Sequence, residues 1–333
     1  MLNHATKSNP KPLPPIMRKK IVILIILFSI SNFGFAQNQK ILSLVEKTND
    51  LNLDMWELTE FAEKNLNDKE QLARFFYYWI GSNIKYDNEL YQKIINGTIN
   101  NDNFWESQEE YKVYDNRKGV CAGYAKLYQW FLDWVDIESV VISGHIRDER
   151  NHYINLELDD NYRHAWNAIK INEKWLLVDS TWGTSLDSIT ADYYFNIDPK
   201  KAIITHYPSE TKWQLLEKPL TLEEYNKSKF IKPIWFKVGY SDNPNLKRDN
   251  KYYYFVFKNN PNKEWIVNLS YSGDNKNFKK IKGLQKIEQD GYTYLRFYKS
   301  LIPKKAFFKV NLYKSNNETS VDLAYKDVIN FKI

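Results

Sequence analysis

Residues 163–183, RHAWNAIKINEKWLLVDSTWG, read as a chain that doubles back on itself. Two segments rich in Val, Ile, Leu and Trp flank Asn172-Glu173, a polar pair suited to a hairpin turn. Folding between those two residues sets position 181 opposite His164 and position 166 opposite Asp179. His164 and Asp179 then stand one diagonal step apart on adjacent antiparallel strands, within the roughly 7–8 Å that long side chains bridge. A carboxylate so placed can fix the tautomer of an imidazole and steady its protonated form.

The text around the hairpin sets its context. ESVVISGHI (138–146) and HYINLELD (152–159) read as further strands, rich in β-branched residues and split by Asp/Asn turns. Before them, CAGYAKLYQWFLDWV (121–135) places Tyr124, Leu127, Tyr128, Phe131, Leu132 and Val135 on one helical face. LNLDMWELTEFAEKNL (51–66) and DKEQLARFFYYWIGSNI (68–84) are also helical text. In the second, Leu72, Phe75, Phe76, Trp79, Ile80 and Ile84 form the stripe, and Asp68 with Gln71 suits the N-cap. Residues 86–116 are polar and Asn-rich, and read as a long loop with one short helix around Glu89–Ile95. Helices followed by an antiparallel sheet predict an α+β domain over residues 37–215.

A connector over 216–230 ends in a short helix, and the text from 231 to 333 is strand after strand. IWFKVGY, KYYYFVFKN, EWIVNLSYSG, GYTYLRFYKS, AFFKVNLYKS, VDLAYKD and VINFKI succeed one another between turn signals. In AFFKVNLYK, Phe308, Val310 and Leu312 alternate with Lys309, Asn311 and Tyr313, the period of a half-buried strand. This spacing predicts a β-sandwich that carries no catalytic constellation.

Hydrophobic residues make up 43% of the chain and aromatics 16%, enough to build packed cores rather than a disordered polymer. The net charge of +6 is dispersed, which suits a solvated, mildly basic surface and argues against a nucleic-acid partner. MRKK (17–20), the apolar run IVILIILFSI (21–30) and then SNFGFAQ outline a secretory signal peptide over 17–36, cut before Gln37. Residues 1–16 read as an upstream extension of that leader, with a translation start at Met17 as the alternative. The apolar run is short of the about 20 residues of a membrane span, so no stable span is expected after cleavage. The expected location is secreted or periplasmic, with tethering by an uncleaved signal anchor as the alternative.

Export sharpens the meaning of Cys121, the one cysteine in 333 residues. In an oxidising compartment an odd cysteine suggests an intermolecular bridge or a reactive thiol, unless it is a small buried hydrophobe. Its position in the first turn of a helix lowers a thiol pKa, and Arg117 and Lys118 just upstream push the same way. A base and an orienting acid are available in the hairpin. Cys121, His164 and Asp179 together would make a triad.

The blocks GVCAGYAKLYQWF, HAWNAIKI and WLLVDSTWG, in this order and spacing, closely resemble the transglutaminase-like superfamily, within it the branch of the kyphoscoliosis-type peptidases. The likeness runs from about Leu72, through FFYYWIGSNIKYD, to about Gly183. It implies a papain-like α+β fold with Cys121 as nucleophile, His164 as base and Asp179 as orienting acid. It further implies an exported thiol enzyme acting on amide bonds of a protein or peptide substrate through a thioester. The alternative is an inactive fold serving as a binding or scaffolding module. Some family features are missing. Val120 stands where animal transglutaminases have Gln, and the tryptophan that helps hold their oxyanion has only Trp105 or Trp79 as candidates. No Asp-x-Asp loop carries over their calcium requirement. With one Cys and no His-Glu-x-x-His, neither a metal nor another cofactor is expected.

Overall fold

The structure, a computed structural model, describes residues 38–149, 152, 155–157, 163–184, 192–315 and 320–333. The expected leader and signal peptide lie outside them. So does most of HYINLELD, of which 155–157 belong to no regular element. The chain divides into two units, Met1–Asp54, which carries helix α1 over 38–48, and Met55–Ile333. Among the described residues no helix is long and apolar enough to cross a membrane.

The second unit opens with α2 (Met55–Asn65) and α3 (Lys69–Asn83). The Asp68 carboxylate accepts the Gln71 N–H at 3.0 Å and caps α3. The whole predicted stripe of α3 is buried, and Tyr77 and Tyr78 are buried with it, so this helix is enclosed on most sides.

The next segment holds the short helix expected around Glu89–Ile95, but two more helices replace the rest of the expected loop. β1 (Lys85–Tyr86) and β2 (Lys118–Gly119) pair in parallel, and three short helices join them: α4 (Asn88–Ile95), α5 (Asn101–Ser107) and α6 (Glu110–Asn116). Asp87 and Asn100 cap α4 and α5 by accepting the N–H groups of Leu90 and Asn103, at 2.9 and 2.8 Å. Short, largely exposed helices bury few residues, so their text shows caps without an apolar period.

α7 (Cys121–Trp134) is held from both sides. The Tyr124 and Tyr128 hydroxyls donate to the Ile84 and Ala73 carbonyls of the α3 segment at 2.6 and 3.0 Å. Phe131 stacks on Phe76 with ring centroids 4.7 Å apart. On the other side the Asn167 amide donates to the Ala125 carbonyl at 3.0 Å, fastening α7 to a sheet of order β6-β5-β4-β3-β7. Its strands are β3 (Ser139–Ile146), β4 (Arg163–Ile171), β5 (Lys174–Val178), β6 (Phe195–Ile197) and β7 (His206–Pro208), all antiparallel. Asn167 pairs with Val178 and Ile171 with Lys174, the register expected from the sequence. Asn172 and Glu173 both have positive φ, 49° and 61°, as a two-residue turn matched to strand twist requires. Residues 207–208, which read as the start of a change of text toward the connector, belong to this sheet through β7.

A helix at Leu222–Lys227 precedes two further sheets. The first has the order β13-β14-β10-β9, with β9 Asn245–Arg248, β10 Tyr252–Lys258, β13 Gln285–Gln289 and β14 Tyr292–Tyr298. The second, β12-β11-β15-β16-β8, takes β8 Phe230–Ile231, β11 Trp265–Ser272, β12 Lys279–Lys280, β15 Phe307–Ser315 and β16 Val321–Lys332. They share one core, with Phe255 on Phe331 at 5.6 Å and Phe297 near Phe308 at 6.0 Å. Phe308, Val310 and Leu312 are buried, as their alternation predicts. Two expectations fail. IWFKVGY is not a strand: Pro233 takes the αR conformation and starts a helical turn, Ile234–Lys237, which buries Trp235. VDLAYKD and VINFKI form one strand, β16, whose register against β15 shifts between Val310 and Tyr313; Asp327, at φ 53°, breaks the regular extended backbone.

Candidate active site

Cys121 is the first residue of α7, and the N-cap Val120 supplies no capping side chain. The amides of that turn are therefore not claimed by a side chain of the cap. The N–H of Val120 itself is taken by the buried Gln108 Oε1 at 2.9 Å. Gly123 makes that approach possible: a Cβ there would lie 2.6 Å from the same oxygen. Gln108 thus fixes the backbone just before the thiol. Sequence reading missed it because its partner is twelve residues away.

The Cys121 residue is half-buried, and its thiol meets the His164 ring and the Ala165 backbone amide. Burial pushes the thiol up, but the hydrogen bond and charge of His164, aided by the Ala165 N–H, outweigh it and the pKa falls below the ordinary thiol value. The cations expected to do this are engaged elsewhere. Arg117 lies over the Tyr114 and Trp79 rings at 4.0 and 4.7 Å, while Lys118 pairs with Asp87 and Glu89 at 3.2 and 3.4 Å. The imidazole takes over the role assigned to them.

His164, buried at the start of β4, places Nε2 2.8 Å from Asp179 Oδ2. That commits Nε2 and leaves Nδ1 for the sulfur. Burial disfavours the imidazolium, yet the Asp179 carboxylate, and then Cys121, raise the His164 pKa to about 10.

Asp179 follows β5 and is fully buried. Its Oδ1 accepts the Thr181 and Trp182 N–H groups, both at 2.9 Å, and Oδ2 accepts His164 and a second imidazole, His206 Nε2, at 2.9 Å. Burial works against the charge, but His164 and His206 hold the carboxyl well below its usual range. The Thr205 hydroxyl is 2.8 Å from His206 Nδ1. Burial lowers the His206 pKa, which favours a neutral ring donating from Nε2. Trp182 covers this group, 5.4 Å from His164 and 4.7 Å from His206, and Trp166 lies 5.0 Å from His206. His206, one of five histidines in the sequence, was assigned no role from the sequence: nothing in THYPSE marks it, because β7 reaches the sheet by pairing with β3, some sixty residues earlier.

The ligand atoms of His164, Asp179 and His206 all lie within 4.8 Å of one another, so the group could be asked to hold a metal. Two nitrogens at 2.8 and 2.9 Å from one oxygen show N–H···O spacing. Ligands each about 2.0–2.1 Å from a tetrahedral zinc stand roughly 3.3 Å apart. The geometry is that of shared protons. Of the two tryptophans considered for an oxyanion, Trp79 is buried in a stack with Tyr114, and Trp105 is half exposed beneath Lys126. The arrangement can move a proton from sulfur to Nδ1, keep the resulting imidazolium on a buried carboxylate, and offer first-turn amides to an oxyanion.

A family model described as the transglutaminase-like superfamily matches residues 58–180, a span that contains Cys121, His164 and Asp179 but ends before His206. Mouse "Kyphoscoliosis peptidase" is 26% identical over 193 residues, covering 55% of this chain and 27% of the relative. The human protein of that name is 27% identical over the same length and shares. "Hillarin" of Drosophila melanogaster is 27% identical over 143 residues, 37% of this chain and 18% of that protein. The chain therefore spans about a quarter of the length of the mouse and human relatives.

Proposed function

We propose, from the premise that residues 58–180 form a transglutaminase-like domain of the kyphoscoliosis-peptidase-like branch, that this protein is an exported cysteine-dependent enzyme acting on amide bonds of proteins or peptides. One observation carries the reading: the Cys121 thiol faces an imidazole that is itself held by the buried Asp179. His164 Nδ1 takes the thiol proton, and the thiolate attacks the amide carbon. The oxyanion that forms is met by first-turn amides of α7, beginning with the N–H of Cys121. Collapse breaks the C–N bond, the imidazolium gives its proton to the departing amine, and a thioester remains. Water, deprotonated by His164, resolves it to a carboxylic acid and the free thiol. A lysine amine would instead give an isopeptide bond. We favour hydrolysis, since the mouse and human relatives are named peptidases. Export is supported by the basic and apolar leader, and is tested by sequencing the N-terminus of the mature protein, where a start at Gln37 is expected and retention of residues 17–36 would refute cleavage.

Alkylation tests the chemistry without knowledge of the substrate. Iodoacetamide should label Cys121 at neutral pH roughly tenfold or more faster in the wild type than in His164→Ala, because the thiolate fraction falls when its imidazolium is removed. Equal rates would refute the triad and leave a binding or scaffolding module.

A further inference from the structure

His206 takes no part in the steps above. We infer that it is a positioning residue, which pins Asp179 Oδ2 beside His164 and, on taking up a proton in acid, sets the lower pH limit of the Cys121 thiolate. The inference rests on the Cys121–His164–Asp179 reading and extends it.

Strand order brings this second imidazole to the site. His206 lies on β7, and His164 on β4, with β3 between them. Gly144 of β3 pairs with His164 on one side and with Pro208 on the other, and Ile146 pairs with His206. Directly paired residues share a face, so both imidazoles lie on the same side of the sheet as Gly144. A Cβ at Gly144 would meet the Trp166 ring at 2.5 Å and the Tyr207 carbonyl at 2.4 Å. The bare Cα lets the Trp166 indole lie across β3, in ring contact with both imidazoles, while they converge on one carboxylate oxygen.

The groups facing His206 come from each neighbouring element. Asp179 follows β5, His164 stands on β4, Tyr194 precedes β6, and the Thr205 hydroxyl and Ala202 carbonyl lie just upstream. Among the described residues, Asp179, His164 and Tyr194 are the titratable ones, and Asp179 brings the negative charge. When neutral, His206 donates Nε2–H to Asp179 and accepts the Thr205 proton at Nδ1. When protonated it needs an acceptor at Nδ1. The Thr205 hydroxyl can serve by turning its own proton toward the Ala202 carbonyl, 3.4 Å away. The site thus accommodates both forms of His206. The charged form puts a second cation on the carboxylate oxygen that supports the His164 imidazolium. Repulsion between the two cations returns the His164 proton to sulfur: an N–H bond breaks, an S–H bond forms, and the nucleophile is quenched.

The test is the pH profile of iodoacetamide labelling at Cys121 in the full chain, for the wild type, His206→Gln and His206→Phe. Gln keeps an N–H for Asp179 but cannot be protonated, whereas Phe fills the aromatic pocket and offers neither. A packing role predicts that Phe serves at least as well as Gln. A positioning role predicts that H206Q outpaces H206F at neutral pH by roughly tenfold, the effect of one unit in the thiol pKa. It also predicts that the acid limb of H206Q lies below that of the wild type by about one pH unit. Superimposable wild-type and H206F profiles, or an H206Q acid limb that does not move, would overturn the inference. If circular dichroism shows H206F unfolded, the H206Q acid limb decides alone. A wild type that labels no faster than His164→Ala is a different failure: it removes the triad reading and this inference with it.

Discussion

Asp179→Ala should cost on the order of 3–5 kcal/mol of folding stability, the range for breaking a buried, hydrogen-bonded charge. The carboxylate accepts four donors, the Thr181 and Trp182 amides and the two imidazoles, and three of the four belong to buried residues. Against a total stability of about 5–15 kcal/mol for a typical domain, that loss is large enough to see in a urea titration. Asp179→Asn separates the two roles of the residue. It keeps an acceptor for the backbone amides, so it should unfold less readily, but its NH₂ meets the imidazoles donor to donor and the His164 tautomer is lost. Cys121 labelling should then fall nearly as far in Asp179→Asn as in Asp179→Ala. The pH dependence has a definite sign. Asp179, held below its ordinary 3.8, stabilises the fold above that pH, and the contribution fades as pH falls. His164, raised from 6.5 to about 10, contributes fully below 6.5 and loses its contribution as pH rises through about 10. The stability gap between wild type and Asp179→Ala should therefore be widest between 3.8 and 6.5 and narrow on both sides. A gap that stays flat from acid to alkali would show that the Asp179–His164 pair does not carry this stability.

Cys121→Ala should lower turnover by a factor on the order of 10⁴–10⁶, since a triad that acts as a unit fails as a unit. Its effect on stability should be small, under about 1 kcal/mol, because a half-buried thiol fills little volume and the Asp179–His164 bond survives its removal. This combination sets it apart from Asp179→Ala, which should lose both. Profiling with a peptide-amide electrophile gives the readout: an adduct on the wild type and none on Cys121→Ala. Amide cleavage that persists in Cys121→Ala would remove the enzyme reading altogether.

Some of this architecture is local and was therefore legible. The hairpin is decided by neighbours in sequence, since the polar pair Asn172-Glu173 fixes the turn and the turn fixes the register. His164 and Asp179 had to meet once the two strands closed. The α3 stripe and the alternation in β15 obey the same logic, one face apolar and the other polar, with a period set by backbone geometry. Of the short helices between β1 and β2, α4 was anticipated, while α5 and α6 escaped because they bury too little to show a period. The turn at Ile234–Lys237 escaped because Ile, Trp, Phe and Val suit a strand, and the φ of Pro233 decided otherwise.

The linear text alone determined the helix that begins at Cys121, the strand that carries His164 near its start and the turn that returns Asp179 to it, because each depends on residues within about one element's length. Only the tertiary structure decided what surrounds them. It spent Arg117 on aromatic rings and Lys118 on carboxylates, so that the thiol answers to His164 instead. It also drew His206 onto Asp179 by pairing β7 with a strand sixty residues away, across a glycine that leaves room for a tryptophan. A charge spends itself on whichever partner packing brings nearest, and nearness across a sheet is a property of strand order that no local stretch of sequence records.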